Sequence, residues 1–355
     1  MPRDLLEPDD RGLFCELGKF HIDPWASVPA AVITHAHGDH ARGGSGIYYC
    51  ASEGREILAK RLPPGSNIVA VPYGEKFLLG DVAVSFHPAG HIRGSSQVRV
   101  ESGERVWVAS GDYKRQHDPT CSPFELVTCD VFITEATFGL PIYRWEPADQ
   151  VAAEIARWWG ENAAEGKASV LFCYALGKAQ RLLAELHSLR TRDEFSWIGE
   201  KTAYLHGAAA PLTKTYREAG VDMLATAGVI EEDDVKGKRP KRRPAEFVGE
   251  LALAPPSAAG SPWMRRFGKD FQTGFASGWM RVRGVRKRAG YDRGFVLSDH
   301  VDWADLMRTV QETGAKRVLV THGNTEVVAR YLREQGLDSQ TLRTRYTGDE
   351  GSDAP

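Results

Sequence analysis

No apolar run in the 355-residue chain approaches the roughly 20 residues a bilayer crossing needs, which excludes a helical membrane span. The first residues, MPRDLLEPDDRG, lack the apolar core of a secretory signal, so a soluble cytoplasmic protein is expected. Cysteine is sparse. Cys15, Cys50, Cys121, Cys129 and Cys173 are widely spaced and form no CxxC pair, which argues against a thiolate zinc site or a disulfide framework. An excess of either charge is lacking as well. Lys and Arg number 45 against 47 Asp and Glu, a formal −2, so any polyanion partner has to be drawn by a local patch.

What is present reads as an α/β protein long enough for one large domain or two medium ones. Up to about residue 145, short strands such as Ala31 to Thr34, Val82 to Phe86, Val106 to Ala109 and Val131 to Thr134 each end in a polar cluster. Those clusters are HAHGDH, HPAGH, SGDY and EATFG, the layout of a sheet whose strand ends hold a site rigidly. From Ala148 helices alternate with strands: a helix to Gly160, where the glycine stops it, a strand over Ser169 to Cys173, and a helix over Gly177 to Leu189. A Pro- and charge-rich stretch from Glu231 to Pro262 reads as exposed loop. Near Gly294 the strand-then-polar texture returns in GFVLSDH and RVLVTHG. The pattern predicts a first domain over 1–147 and 291–355, interrupted by an inserted domain over 148–290.

HAHGDH carries the chemistry. His35 and His37 alternate along an extended segment and point the same way, and Gly38 then permits a turn that aims Asp39 and His40 from elsewhere. Imidazole and carboxylate are ligands that Zn²⁺ accepts. At ordinary residue frequencies H-x-H-x-D-H arises about once in 10⁶ starting positions, so the motif outweighs a loop of surface histidines. One loop cannot close two coordination shells. His91 in PAGH, Asp112 in SGD and His322 in VLVTHG also end strands, and together they complete a shared site. His35, His37 and His91 would hold one metal, and Asp39, His40 and His322 the other, with Asp112 bridging. Asp23, in FHIDPW, would fix the tautomer of a ligand imidazole. Two zinc ions (manganese being the alternative), two carboxylates and a bridging hydroxide leave a cluster of about +1, suited to a phosphodiester.

These residues resemble the metallo-β-lactamase superfamily, whose Asp, HxHxDH, His, Asp and late His fall here at Asp23, His35 to His40, His91, Asp112 and His322. The inserted segment resembles the β-CASP cassette of nucleic-acid-processing members. Glu135 in ITEATFG, the strand-to-helix segment CYALGKAQRLL from Cys173 to Leu183, and His300 in SDHVDW carry that likeness. The resemblance implies a metallo-β-lactamase αβ/βα sandwich with an inserted β-CASP α/β cassette. It also implies a metal-dependent nuclease whose catalytic set is His300, Glu135, Asp39 and Asp23. His300 would approach the scissile phosphate and Glu135 would orient it, the competing reading being that Asp299 and His300 merely cap a helix from Val301.

Within that group the pattern is most similar to bacterial DNA-ligase-associated exonucleases. This implies a repair-associated enzyme degrading DNA from an end, working alongside a DNA ligase and a helicase. His322 is the residue of the RNA-processing branch, so a 3′-end-processing type of ribonuclease is the alternative, ahead of a small-molecule metallo-hydrolase.

Two basic runs bear on the substrate. Lys236 to Arg243, KGKRPKRR, reads most simply as a solvated loop. Arg281 to Arg293 leads into the His300 motif, with Arg281 and Arg283 alternating as on one face of a strand and Arg286 close behind. These arginines are candidate phosphate contacts, with Trp279 and Tyr291 for base stacking, and an exposed basic hairpin is the competing reading. Lys178 sits at a helix start, where amides favour phosphate, though a plain helix-start lysine explains it equally. His21, His87, His117, His187 and His206 are read as structural.

Overall fold

The computed structural model describes residues 4–229 and 244–344. The run Lys236 to Arg243 lies outside the described residues. The chain divides into two compact units, one taking in residues up to Arg144 and resuming at Asp299, the other running from Trp145 to Ser298. No helix among the described residues is long and apolar enough to cross a membrane.

The first unit is built on two sheets. A six-stranded sheet runs in sequence order from Glu7–Pro8 to Ile68–Val71. A seven-stranded sheet has the order Asp338–Thr341, Arg317–Thr321, Val131–Glu135, Arg105–Ala109, Ser96–Ser102, Val82–Pro88, Lys76–Leu79. Strand alternation decides which residues face which layer. Trp107, Ala109, Ile133 and Leu319 turn inward and pack with Phe20, Ile22 and Val32 of the other sheet in one apolar core. Their neighbours Val108, Phe132, Val318 and Val320 turn outward against Leu306 and Val310 of the helix Trp303–Glu312, and against Val328 and Leu332 of the helix Thr325–Glu334. This is the αβ/βα sandwich, with helices covering the outer face of the larger sheet.

The second unit holds a six-stranded sheet, all parallel, in the order Ala225–Gly228, Thr202–Leu205, Leu251–Ala254, Ala168–Phe172, Phe271–Ala276, Arg293–Phe295. Its central strand ASVLF is buried at every position, as expected where a parallel strand has both faces covered.

Four features differ from the expectation. The stretch expected as exposed loop from Glu231 to Pro262 contains, in its described part, the strand Leu251–Ala254, buried at every position and paired on both sides within the parallel sheet. The helix from Ala148 runs through Gly160 to Ala164. A Cβ at Gly160 would sit 3.3 Å from the Trp197 ring, so this glycine serves a close packing contact inside the helix and does not end it. The chain re-enters the first unit at Asp299, later than 291, because Arg293–Phe295 adds a strand to the parallel sheet. The basic segment before it is not extended. Gly278–Arg281 is a 3-10 turn whose start is capped by the Ser277 hydroxyl, and Arg283–Ala289 is a helix closed by left-handed Gly290. Arg281 and Arg283 therefore do not alternate along a strand.

Candidate metal centre

All seven expected ligands lie in the first unit, in loops that follow strands, and all but His322 are nearly fully buried. Three of them converge on one oxygen of a fourth. Asp112 Oδ2 is 3.5 Å from His35 Nε2, 3.5 Å from His40 Nε2 and 3.9 Å from His91 Nε2. His37 Nδ1 lies 3.1 Å from both His35 Nε2 and His91 Nε2. On the other side His40 Nε2 is 3.6 Å from Asp39 Oδ2, and the His40 and His322 rings stack with centroids 5.2 Å apart. The donor atoms of His35, His37, His91 and Asp112 form one compact group, and those of Asp39, His40 and His322 a second.

The outward ring nitrogens are held so that the inward ones converge. His40 Nδ1 donates to Asp23 Oδ2 at 2.7 Å, and Asp23 is fixed in turn by the Thr34 amide at 2.7 Å and the Thr34 hydroxyl at 2.5 Å. His91 Nδ1 donates to the Asp299 carbonyl at 2.7 Å, and His35 Nδ1 meets the Thr34 hydroxyl at 3.0 Å. Asp23 and His322 both adopt positive φ, 42° and 58°, in the left-handed region that side chains seldom occupy. Such backbone persists only where surrounding structure holds it, and both residues here belong to the site.

Two observations fit this donor set to metal ions. Both carboxylate oxygens of Asp39 and Oδ1 of Asp112 are buried with no hydrogen-bond partner among the described residues. Burying a carboxylate that way is costly, and a cation answers it. The protonation states also suit ligation. Burial, with His40 close by, holds the His35 imidazole well below its ordinary value. Burial does the same for His91, helped by His300, and brings His322 down to about 4. Burial works to raise Asp112, but the surrounding histidines, His40 first, hold it well below the usual carboxylate range. His40 is the exception. Burial lowers it, yet Asp39, Asp112 and Asp23 together hold it well above its ordinary value, so there a proton competes with a cation.

Next to this cluster His300 Nδ1 lies 2.9 and 3.1 Å from the two oxygens of Glu135. Glu135 also accepts the Tyr113 amide at 2.8 Å and is fully buried, and burial raises its carboxyl above the ordinary value. His300 Nδ1 is 4.0 Å from Asp112 Oδ2. The helix beyond starts at Trp303, and its cap is Asp302, whose carboxylate accepts the Asp305 amide at 2.9 Å. Capping by Asp299 and His300 is thereby overturned: the helix starts two residues later than Val301, and Asp302 supplies the oxygen.

The residues expected to touch phosphate belong to the second unit. Lys178 does start a helix, but its side chain is fully buried with the ammonium 4.5 Å over the Tyr174 ring. Arg281 and Arg286 line a polar cavity of about 350 Å³ with Arg293, Glu146, Glu154 and Asp292, and Arg286 donates twice to the Met280 carbonyl. Arg283 is exposed on its helix. The Tyr291 ring packs against Phe172 and Phe275 at 5.0 Å, which ties it to the apolar core. Among the histidines read as structural, His21 pairs with Asp9 at 2.9 Å and His87 with Glu125 at 2.9 Å. Sequence reasoning missed Thr34 and the Asp299 carbonyl. Thr34 reads only as a strand end, and a main-chain oxygen has no sequence signature.

No family model matches the chain. A protein named probable DNA ligase from Opitutus terrae is 31% identical over 333 residues, covering 93% of this chain and 30% of that protein. A ribonuclease from Thermus thermophilus is 25% identical over 196 residues, covering 48% of this chain and 45% of the ribonuclease. The chain thus spans less than half the length of either relative. A solved structure, of a protein of unknown function from Enterococcus faecalis, shares the fold at a TM-score of 0.55 and 13% identity, covering 89% of this chain and 80% of that one.

Proposed function

The chain belongs to the β-CASP nucleases of the metallo-β-lactamase superfamily, and from that premise we propose that it is a two-zinc phosphodiesterase that degrades DNA from an end. The observation that carries this reading is the convergence of three imidazole nitrogens on Asp112 Oδ2, within a donor set of five histidines and two carboxylates. Buried carboxylate oxygens in that set lack a hydrogen-bond partner among the described residues, and a cation would answer them. A pair of divalent ions bound there supplies Lewis-acid charge and an activated water.

The chain's own residues do the rest. Asp23 holds His40 in the tautomer that turns Nε2 inward, and the Asp299 carbonyl does the same for His91. Glu135 accepts from His300 Nδ1–H and so favours the imidazolium, whose Nε2–H is the proton given to a leaving oxygen, leaving the neutral Nδ1-protonated ring. Arg281, Arg283 and Arg286 are proposed as contacts to the phosphates of the nucleic-acid backbone, from the turn and short helix that carry them. Lys178 has the weakest claim of the four, since its ammonium is withdrawn from solvent.

DNA is favoured because the ligase-named relative matches over nearly the whole chain, whereas the ribonuclease matches over about half. Joint action with a ligase and a helicase in the cytoplasm belongs to the same reading. His322 and the ribonuclease relative favour RNA as the second reading. End-labelled single-stranded DNA and RNA of one sequence, incubated with the purified chain and Zn²⁺ or Mn²⁺, separate the two. Stepwise shortening of DNA is expected. Cleavage of RNA alone overturns the DNA assignment.

A further inference from the structure

A buried lysine stands beside the metal centre and outside its donor set. Lys114 lies two residues after Asp112 and is 1% exposed. Its ammonium donates to Asp118 Oδ2 at 2.7 Å and lies 3.7 Å from Asp299 Oδ1. Asp118 is itself fixed, with Oδ1 accepting the Thr120 amide at 2.9 Å and the Thr120 hydroxyl at 2.6 Å. Asp299 is the residue whose carbonyl orients His91, and it directly precedes His300. The main chain of Lys114 makes a second tie. Its amide donates to the Ala89 carbonyl at 3.0 Å, and its carbonyl lies 2.3 Å from where a Cβ on Gly90 would be, at φ 72°. Only glycine fits that approach. The loops bearing His91, Asp112 and His300 therefore meet at one residue, the first through its main chain and the last through its ammonium.

We infer that Lys114 is a positioning residue for the metal centre: its ammonium anchors Asp299, and its main chain anchors the loop that presents His91. The inference rests on His91 being a ligand, as in the proposed function. A buried ion pair adds little stability, because removing the charges from water offsets most of their attraction. What such a pair supplies here is direction: it sets the Asp299 carbonyl against His91 Nδ1, and it does so from the segment that carries Asp112. Partners of this kind alter metal affinity about 10- to 100-fold when removed.

The test uses the full chain and the variants Lys114→Met and Lys114→Met/Asp118→Asn. The double variant removes one buried carboxylate together with the cation, and serves if the single variant does not fold. Zinc affinity is measured by competition with a chromogenic chelator, thermal unfolding is followed with and without zinc, and kcat and KM are measured on a single-stranded DNA oligonucleotide. The expected result is zinc binding weakened about 10- to 100-fold. The zinc-dependent rise in Tm should shrink, and kcat should fall more than tenfold with KM within twofold. A folded variant with wild-type zinc affinity and kcat overturns the inference. So does a drop in Tm that is equal with and without zinc, because that marks a purely structural role. A wild-type chain that shows no zinc-dependent rise overturns the metal reading itself, and this inference with it.

Discussion

At the scale of single residues, Asp39 and His300 have different duties and should fail differently. Asp39 has both oxygens buried without a hydrogen-bond partner among the described residues, with His40 Nε2 3.6 Å from Oδ2, so its side chain is placed to meet a cation. Asp39→Ala is expected to abolish cleavage while leaving the fold intact, with thermal unfolding of the metal-free chain little changed, because relief of a buried charge is offset by the lost attraction to His40 3.6 Å away. Single-turnover assays and circular dichroism check both halves, and substantial activity in Asp39→Ala would contradict the two-metal assignment. His300 stands one contact away, supported by Glu135 at 2.9 Å. If it protonates a leaving oxygen, His300→Ala should lower kcat about 10²- to 10⁴-fold at full metal occupancy. Bound zinc, counted by elemental analysis, should stay at the wild-type level. Loss of zinc along with activity would make His300 a ligand and not an acid.

At the scale of elements, the site is an arrangement of strand ends, and glycines set how closely they approach. Gly323, at φ 64°, follows His322, and a Cβ there would sit 2.3 Å from the Ala136 carbonyl. This joins the loop after Arg317–Thr321 to the loop after Val131–Glu135, the two neighbouring strands that carry His322 and Glu135. Gly323→Ala should cost roughly 1–3 kcal/mol through backbone strain and weaken metal binding by displacing His322. Chemical denaturation and a zinc titration measure the two effects, and an unchanged zinc affinity would show that the loop tolerates the shift. HAHGDH was legible because its donors are adjacent in the chain, and His91, Asp112 and His322 because each closes an apolar run. Less was legible where the decisive contact is made by main chain or by packing. The Asp299 carbonyl behind His91, the Trp197 ring over Gly160 and the Ser277 cap that turns Gly278–Arg281 away from a strand all depend on residues remote from the motif they shape. Basic residues misled for a related reason: charge spacing in Arg281 to Arg293 fits a strand and a short helix equally, and the choice is made by the cap and by Gly290.

Over the whole molecule, the donors span residues 35 to 322, yet every one belongs to the unit that ends at Arg144 and resumes at Asp299. A cation bound among them closes a very long loop of chain, and it favours the folded over the unfolded state by mass action. At a free ion concentration 1,000 times Kd that linkage is about 4 kcal/mol per site. Metal removal should therefore destabilise the first unit specifically. The second unit has its own apolar core around Phe172, Phe247 and Phe275, and no donor in the metal set. Hydrogen exchange read by mass spectrometry, with the chain zinc-loaded and then stripped by a chelator, distinguishes the cases. Protection is expected to fall in the loops around His35 to His40, His91, Asp112 and His322, and to stay level in the parallel strands Ala168–Phe172 and Leu251–Ala254. An equal loss in both units would mean that the ions stabilise the entire chain as one cooperative body, and no change in either would mean that the donor cluster holds its geometry without them.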